Sequence, residues 1–272
     1  MFAKLLKHEW KANSRILWIL SLGVLGISVL ETFLLRFVVS GIENMPEIIM
    51  LPIMLFIVGG FFAMLAYSVG VHFLLLARFY KNKFTDEGYL TFTLPVTTHQ
   101  ILLSSLLNYL FWTVISTVVT VFAFSMPILV GTTQNRFINR ELIEGFSFVF
   151  KVLSSQSEVN GYVTLVLISG VVSVVSSMML MHAAIAMGAV LAKKHKILAA
   201  FGCYYGFSMV LGTVSSVLTV GVGFMQAAHG NMSSIFNIMN TLIVGQMVIY
   251  VAVAVAGYFL SHHLMKNKLN LP

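Results

Sequence analysis

Six long, mostly apolar runs separated by short polar loops constrain this chain more than any other feature of its sequence. They cover residues 16–39, 48–77, 101–130, 162–192, 197–224 and 241–260. A helix needs ~20 apolar residues to cross the hydrocarbon of a bilayer, and every one of these runs meets that length. Only 9% of the 272 residues are charged, whereas a water-soluble domain carries roughly a quarter. The expected fold class is therefore an all-α integral membrane protein of about six transmembrane helices. Residues 1–15 precede this domain, residues 16–261 form it, and residues 262–272 make a short tail.

The charge that remains is sorted by side. If both termini lie on the same side, twelve of the sixteen Lys and Arg fall on that side. Only Arg36, Arg136, Arg140 and Lys151 fall on the other. Lysine and arginine concentrate in cytoplasmic loops, so both ends are expected to be cytoplasmic in a multi-pass protein. The net charge of +7 is thus a topology signal, and nucleic acid is not an expected partner. Cys203 is the single cysteine, which excludes an intrachain disulfide and any cysteine-based metal site.

The opening, MFAKLLKHEWKANSR, is basic and amphipathic. Leu5, Leu6 and Trp10 share a face with Phe2, while Lys4, Lys7, Lys11 and Arg15 take other faces. That pattern suits a helix lying in the bilayer interface with the indole at headgroup depth. The competing reading is a basic extension of the first span.

Residues 78–100 read RFYKNKFTDEGYLTFTLPVTTHQ. Thr85 is placed to cap a short helix, with Asp86 and Glu87 in its first turn, where the helix dipole favours acids. Gly88 follows, and Tyr89, Leu90, Phe92 and Leu94 then supply an apolar surface. Pro95 ends the helix. Thr97 and Gln100 form a capping-box pattern that launches the third span. On the outer side, residues 139–153 have the pattern of an amphipathic surface helix.

Catalytic and nucleotide-binding patterns are missing. The sequence contains no G-x-x-x-x-G-K-[ST], no H-E-x-x-H and no G-x-S-x-G, so it lacks the phosphate cradle and the nucleophile or zinc motifs that these spacings build. Its one aspartate is Asp86. No metal is expected, and the chain is not expected to be an enzyme. Ionisable residues inside the hydrocarbon are costly and mark functional candidates. Here they are Glu31, Arg36 and His182, with Met178, Met179 and Met181 beside the histidine. The small residues Gly202, Gly206, Gly212, Ser215, Ser216, Gly221 and Gly223 in the fifth run suggest close helix approach or a dimer seam.

Taken together, the basic amphipathic opening, the six-span layout, the segment RFYKNKFTDEGYLTFTLPVTTHQILLSS and the outer stretch MQAAHGNMSSIFNIMN resemble an ABC-2-type transporter permease, the membrane subunit of a bacterial ABC exporter. That resemblance implies a coupling helix at residues 85–95, with Thr85, Asp86, Glu87, Gly88, Tyr89, Leu90, Phe92, Leu94 and Pro95 docking a separate ABC ATPase. It implies that ATP and Mg are bound by that partner and that no cofactor is held by this chain. It further implies a second permease subunit, identical or paralogous, and a location in the bacterial cytoplasmic membrane. Relatives of this kind export antimicrobial peptides or drugs, so an amphipathic substrate is implied. The alternative is a self-contained secondary transporter or channel.

Overall fold

The computed structural model describes residues 2–41, 46–93, 95–131, 140, 144–145, 147, 151, 157–192, 194–229 and 235–267. The main helices are α1 (Phe2–Gly41), α2 (Glu47–Phe84), α3 (Asp86–Thr93), α4 (Thr98–Gly131), α5 (Ser157–Leu191), α6 (Lys196–His229) and α7 (Ile235–Asn267). All but α3 are long and apolar enough to cross a membrane, so the chain is a helical multi-pass membrane protein. Most of the outer helix expected over residues 139–153 lies outside the described residues. Among those that are described, Arg140 Nε meets Glu144 at 2.8 Å.

The helices outrun the apolar stretches that announce them. Apolarity marks only the length in hydrocarbon, whereas backbone hydrogen bonding continues into the wetter interface. Residues 2–15 are accordingly no separate element, because α1 is continuous for 40 residues. The tail assigned from residue 262 is helical as far as Asn267. Pro46 precedes α2 and its carbonyl accepts from Ile49 and Met50. Pro52 lies in the second turn of that helix, where proline removes one i→i−4 hydrogen bond.

The chain divides into two compact units. The first comprises residues 3–75 and 107–151, and its α1 is inverted relative to a soluble helix. Glu9, Asn13, Ser21, Ser28, Glu31 and Thr32 are buried, while Ile19, Leu22, Leu30, Phe33 and Phe37 are exposed. Lipid is the solvent for the apolar face, and polar groups must find partners inside. Ser21 Oγ and the Tyr67 hydroxyl share a hydrogen bond of 2.7 Å, and Ser28 Oγ donates to the Ala123 carbonyl at 2.7 Å. Trp10 stacks on Trp112 with centroids 4.7 Å apart and meets Phe111 edge-on at 4.2 Å. Half-buried Leu5 and Leu6 lie on the same helix. The Trp10 indole therefore packs against protein rings.

The second unit comprises residues 1–2, 76–106 and 152–272. It contains the basic end of α2, α3, the start of α4, and the helices α5 to α7. Close approach to a neighbouring backbone occurs at two glycines. A Cβ on Gly188 would collide with the Ala200 backbone at the start of α6, and one on Gly257 would lie 2.9 Å from the Met179 carbonyl oxygen. Of the small residues expected to form a seam in α6, Ser215 meets α7, accepting from Gln246 Nε2 at 2.9 Å, but the glycines do not approach another helix within this unit. Cβ atoms at Gly202, Gly206, Gly212, Gly221 and Gly223 would meet nothing within 4 Å. Periodic small residues show where a helix permits close approach, and the partner's backbone decides where it happens.

Candidate functional site

The second unit contains a sharp elbow, α2–α3–α4, built from local chemistry. Lys81 and Lys83 occupy the last turn of α2, where cations complement the helix dipole. Thr85 follows, but its hydroxyl does not cap α3. It donates back to the Lys81 carbonyl at 2.6 Å, satisfying one of the open carbonyls at the end of α2. The first α3 contact is instead backbone to backbone, Gly88 N to Thr85 O at 2.8 Å. The Thr91 hydroxyl donates to the Asn82 carbonyl at 2.9 Å, folding α3 back against the last turn of α2. The capping box at the start of α4 forms in both directions. Thr97 N donates to Gln100 Oε1 at 3.3 Å, and Gln100 N donates to Thr97 Oγ1 at 3.4 Å.

This elbow presents one face outward and anchors the other. Asp86 and Glu87 are exposed in the first turn of α3. Glu87 pairs with Lys81 at 2.9 Å, with both side chains at least half exposed, so the pair orients more than it stabilises. Tyr89 and Leu90 are 64% and 69% exposed. Gly88 is buried, Phe92 is half-buried, and Pro95 is exposed two residues beyond the helix end. Leu94 lies outside the described residues.

The last turns of α2 also enter a buried cluster that sequence reasoning missed. Lys83 is 2% exposed and Phe84 1%. The Lys83 ammonium donates to Ser105 Oγ of α4 at 2.7 Å and sits 5.3 Å from the centre of the Phe79 ring. The Phe79 ring also stacks with His182 of α5, at 3.7 Å and 16°. Lys83, Phe79, Ser105 and His182 thus join α2, α4 and α5. Charge counting treats Lys83 as a topology marker. The available signal was its spacing from Phe79, since positions four apart share a helix face.

The other ionisable candidates belong to the first unit. Glu31 is buried, its carboxyl lies where a Cβ on Gly60 would have to go, and Oε1 has no hydrogen-bond partner among the described residues. Arg36 is exposed on the same helix. Among the described residues no three His, Cys, Asp or Glu side chains are grouped to hold a metal ion. No protein-family model, curated protein or solved structure matches the chain.

Proposed function

We propose that this chain is the transmembrane permease subunit of an ATP-driven exporter in the bacterial cytoplasmic membrane. ATP and Mg are bound by separate ABC ATPase subunits, and a second permease copy or paralogue completes the pathway. The observation that carries this reading is the elbow. A short helix with an acidic collar and an exposed Tyr89–Leu90 pair lies between two spans on the lysine-rich side. An exposed aromatic–aliphatic pair favours burial in a partner's groove, the kind of anchor that dominates protein docking. The Lys83–Phe79–His182 cluster would pass motion of α3 to three helices at once, because packed contacts shift together and do not deform independently.

The double variant Tyr89→Asp/Leu90→Asp is expected to insert normally and to lose an associated ATPase. A mild-detergent pull-down with the genomic neighbours measures this directly. Recovery of a Walker-motif protein should fall by about tenfold or more, the effect of losing one hot-spot anchor. Undiminished recovery would remove the docking role from α3.

Glu31 favours a second reading, a self-contained secondary transporter. A buried carboxyl oxygen without a partner inside a span is the kind of group that carries protons across membranes. Under that reading Glu31→Gln abolishes ion-driven flux in proteoliposomes that hold this chain alone. Under the exporter reading such proteoliposomes show no flux to abolish.

A further inference from the structure

Within the second unit, α5, α6 and α7 line an open-sided groove of about 400 Å³. This is the size range of sites for drug-sized ligands. It lies deep in the spans. Ser176 is fifteen residues from either end of the span Gly161–Leu191, about 22 Å at helical rise. Yet its lining is rich in hydroxyls. Ser173, Ser176 and Ser177 come from α5, Tyr204 and Ser208 from α6, and Tyr250 from α7. Among the described residues no Asp, Glu, Lys, Arg or His lines it; Val174, Leu180 and Leu211 supply its aliphatic wall, beside Gly212 and Ser215.

Serine in a membrane helix ordinarily spends its proton on a carbonyl of the preceding turn. Ser173 and Ser177 do so, donating to Gly170 O at 2.8 Å and Val174 O at 3.0 Å. Ser176 does not. It is 1% exposed, lines the groove, and its Oγ has no partner among the described residues. A buried hydroxyl without a partner costs the protein stability, and a ligand that accepts its proton would recover that cost. The groove also has open volume beside Gly212, where a Cβ would meet nothing within 4 Å.

We infer that this groove binds the transported molecule, and that the molecule is an uncharged amphiphile bearing hydroxyl groups. The inference rests on the exporter reading for the word transported, and on the groove alone for the ligand's chemistry. Hydroxyls along the wall supply donors and acceptors without fixed charge, and the aliphatic wall takes a hydrocarbon portion. A permanent ion would enter hydrocarbon with no counter-charge in the lining, a cost that neutral ligands avoid. The molecule comes either from the membrane, as a neutral glycerolipid, or from solution, as a soluble glycoside.

The test uses the full chain in nanodiscs and needs no ATPase, so it fails or succeeds independently of docking at α3. Saturable binding is measured for dioctanoylglycerol as the lipid source, octyl glucoside as the soluble source, and dioctanoyl phosphatidic acid as the charged control. Preferential binding of either neutral probe over the acid supports the inference and identifies the source. The triple variant Ser176→Ala/Tyr204→Phe/Tyr250→Phe keeps the groove's shape and should weaken that binding by about tenfold or more, as each lost hydrogen bond contributes roughly three- to tenfold. Gly212→Leu, which projects into open space, should block binding while the protein keeps its thermal midpoint. Absence of saturable neutral binding, equal binding of the acid, or unchanged affinity in both variants would overturn the assignment.

Discussion

Replacing Gly188 with leucine is expected to destabilise the second unit by about 3 kcal/mol, the upper end of the ordinary cost of overpacking. The atoms in the way are the Ala200 N and Cα. These are backbone atoms at the start of α6 and cannot rotate aside as a side chain would. Relief requires α6 to move away from α5, which strips contacts along the hairpin. Gly170→Ala on the same helix is the control. A Cβ there would meet nothing within 4 Å, and alanine is the better helix former, so stability should change by no more than about 1 kcal/mol. Thermal midpoints of the purified proteins in one detergent compare the two. A Gly188→Leu midpoint equal to that of wild type would mean that α5 and α6 do not meet as described.

The second large effect is expected at His182. Truncation to alanine removes a ring that is 1% exposed and stacked on Phe79. Deleting a buried ring of this size costs about 3 kcal/mol in lost contacts and residual cavity, and the thermal midpoint should fall by roughly 5–10 °C. His182→Phe is the informative companion. Phenylalanine keeps the stack and eliminates the Nδ1 that has no hydrogen-bond partner among the described residues, so stability should remain within about 1 kcal/mol of wild type. Under the exporter reading proposed above, transport by the stable phenylalanine variant then separates two roles. Retained transport makes His182 a packing residue. Lost transport in a protein of normal stability assigns the imidazole nitrogen a functional part.

The same cluster explains why a membrane protein buries a lysine near a helix end. Lys83 is 2% exposed, and its ammonium is held by Ser105 and the face of Phe79. Such an arrangement stabilises a charge only while its partners stay in place. It therefore ties the last turn of α2, to which α3 is held through Thr91–Asn82 and Glu87–Lys81, to the packing of α4 and α5.

The membrane-spanning character, the approximate positions of the six long helices and the break at Pro95 were all legible in the sequence, because each follows from local chemistry. Twenty apolar residues have few alternatives to a spanning helix. Thr97 and Gln100 carry their capping geometry in their spacing alone. Tertiary structure decided what depends on a neighbour supplied by distant sequence. The Thr85 hydroxyl turned back to α2 because an unsatisfied carbonyl lay within reach. Trp10 found Trp112, and Glu31 found Gly60, about a hundred residues away in one case and about thirty in the other. The glycines of α6 look like a seam in the sequence, yet the close contacts fall at Gly188 and Gly257. Lys83 reads as one more positive charge until Phe79, Ser105 and His182 surround it. A bilayer selects for apolarity without specifying which helix faces meet, so the spans are written locally while the elbow's anchor and the hydroxyl groove exist only once the helices pack.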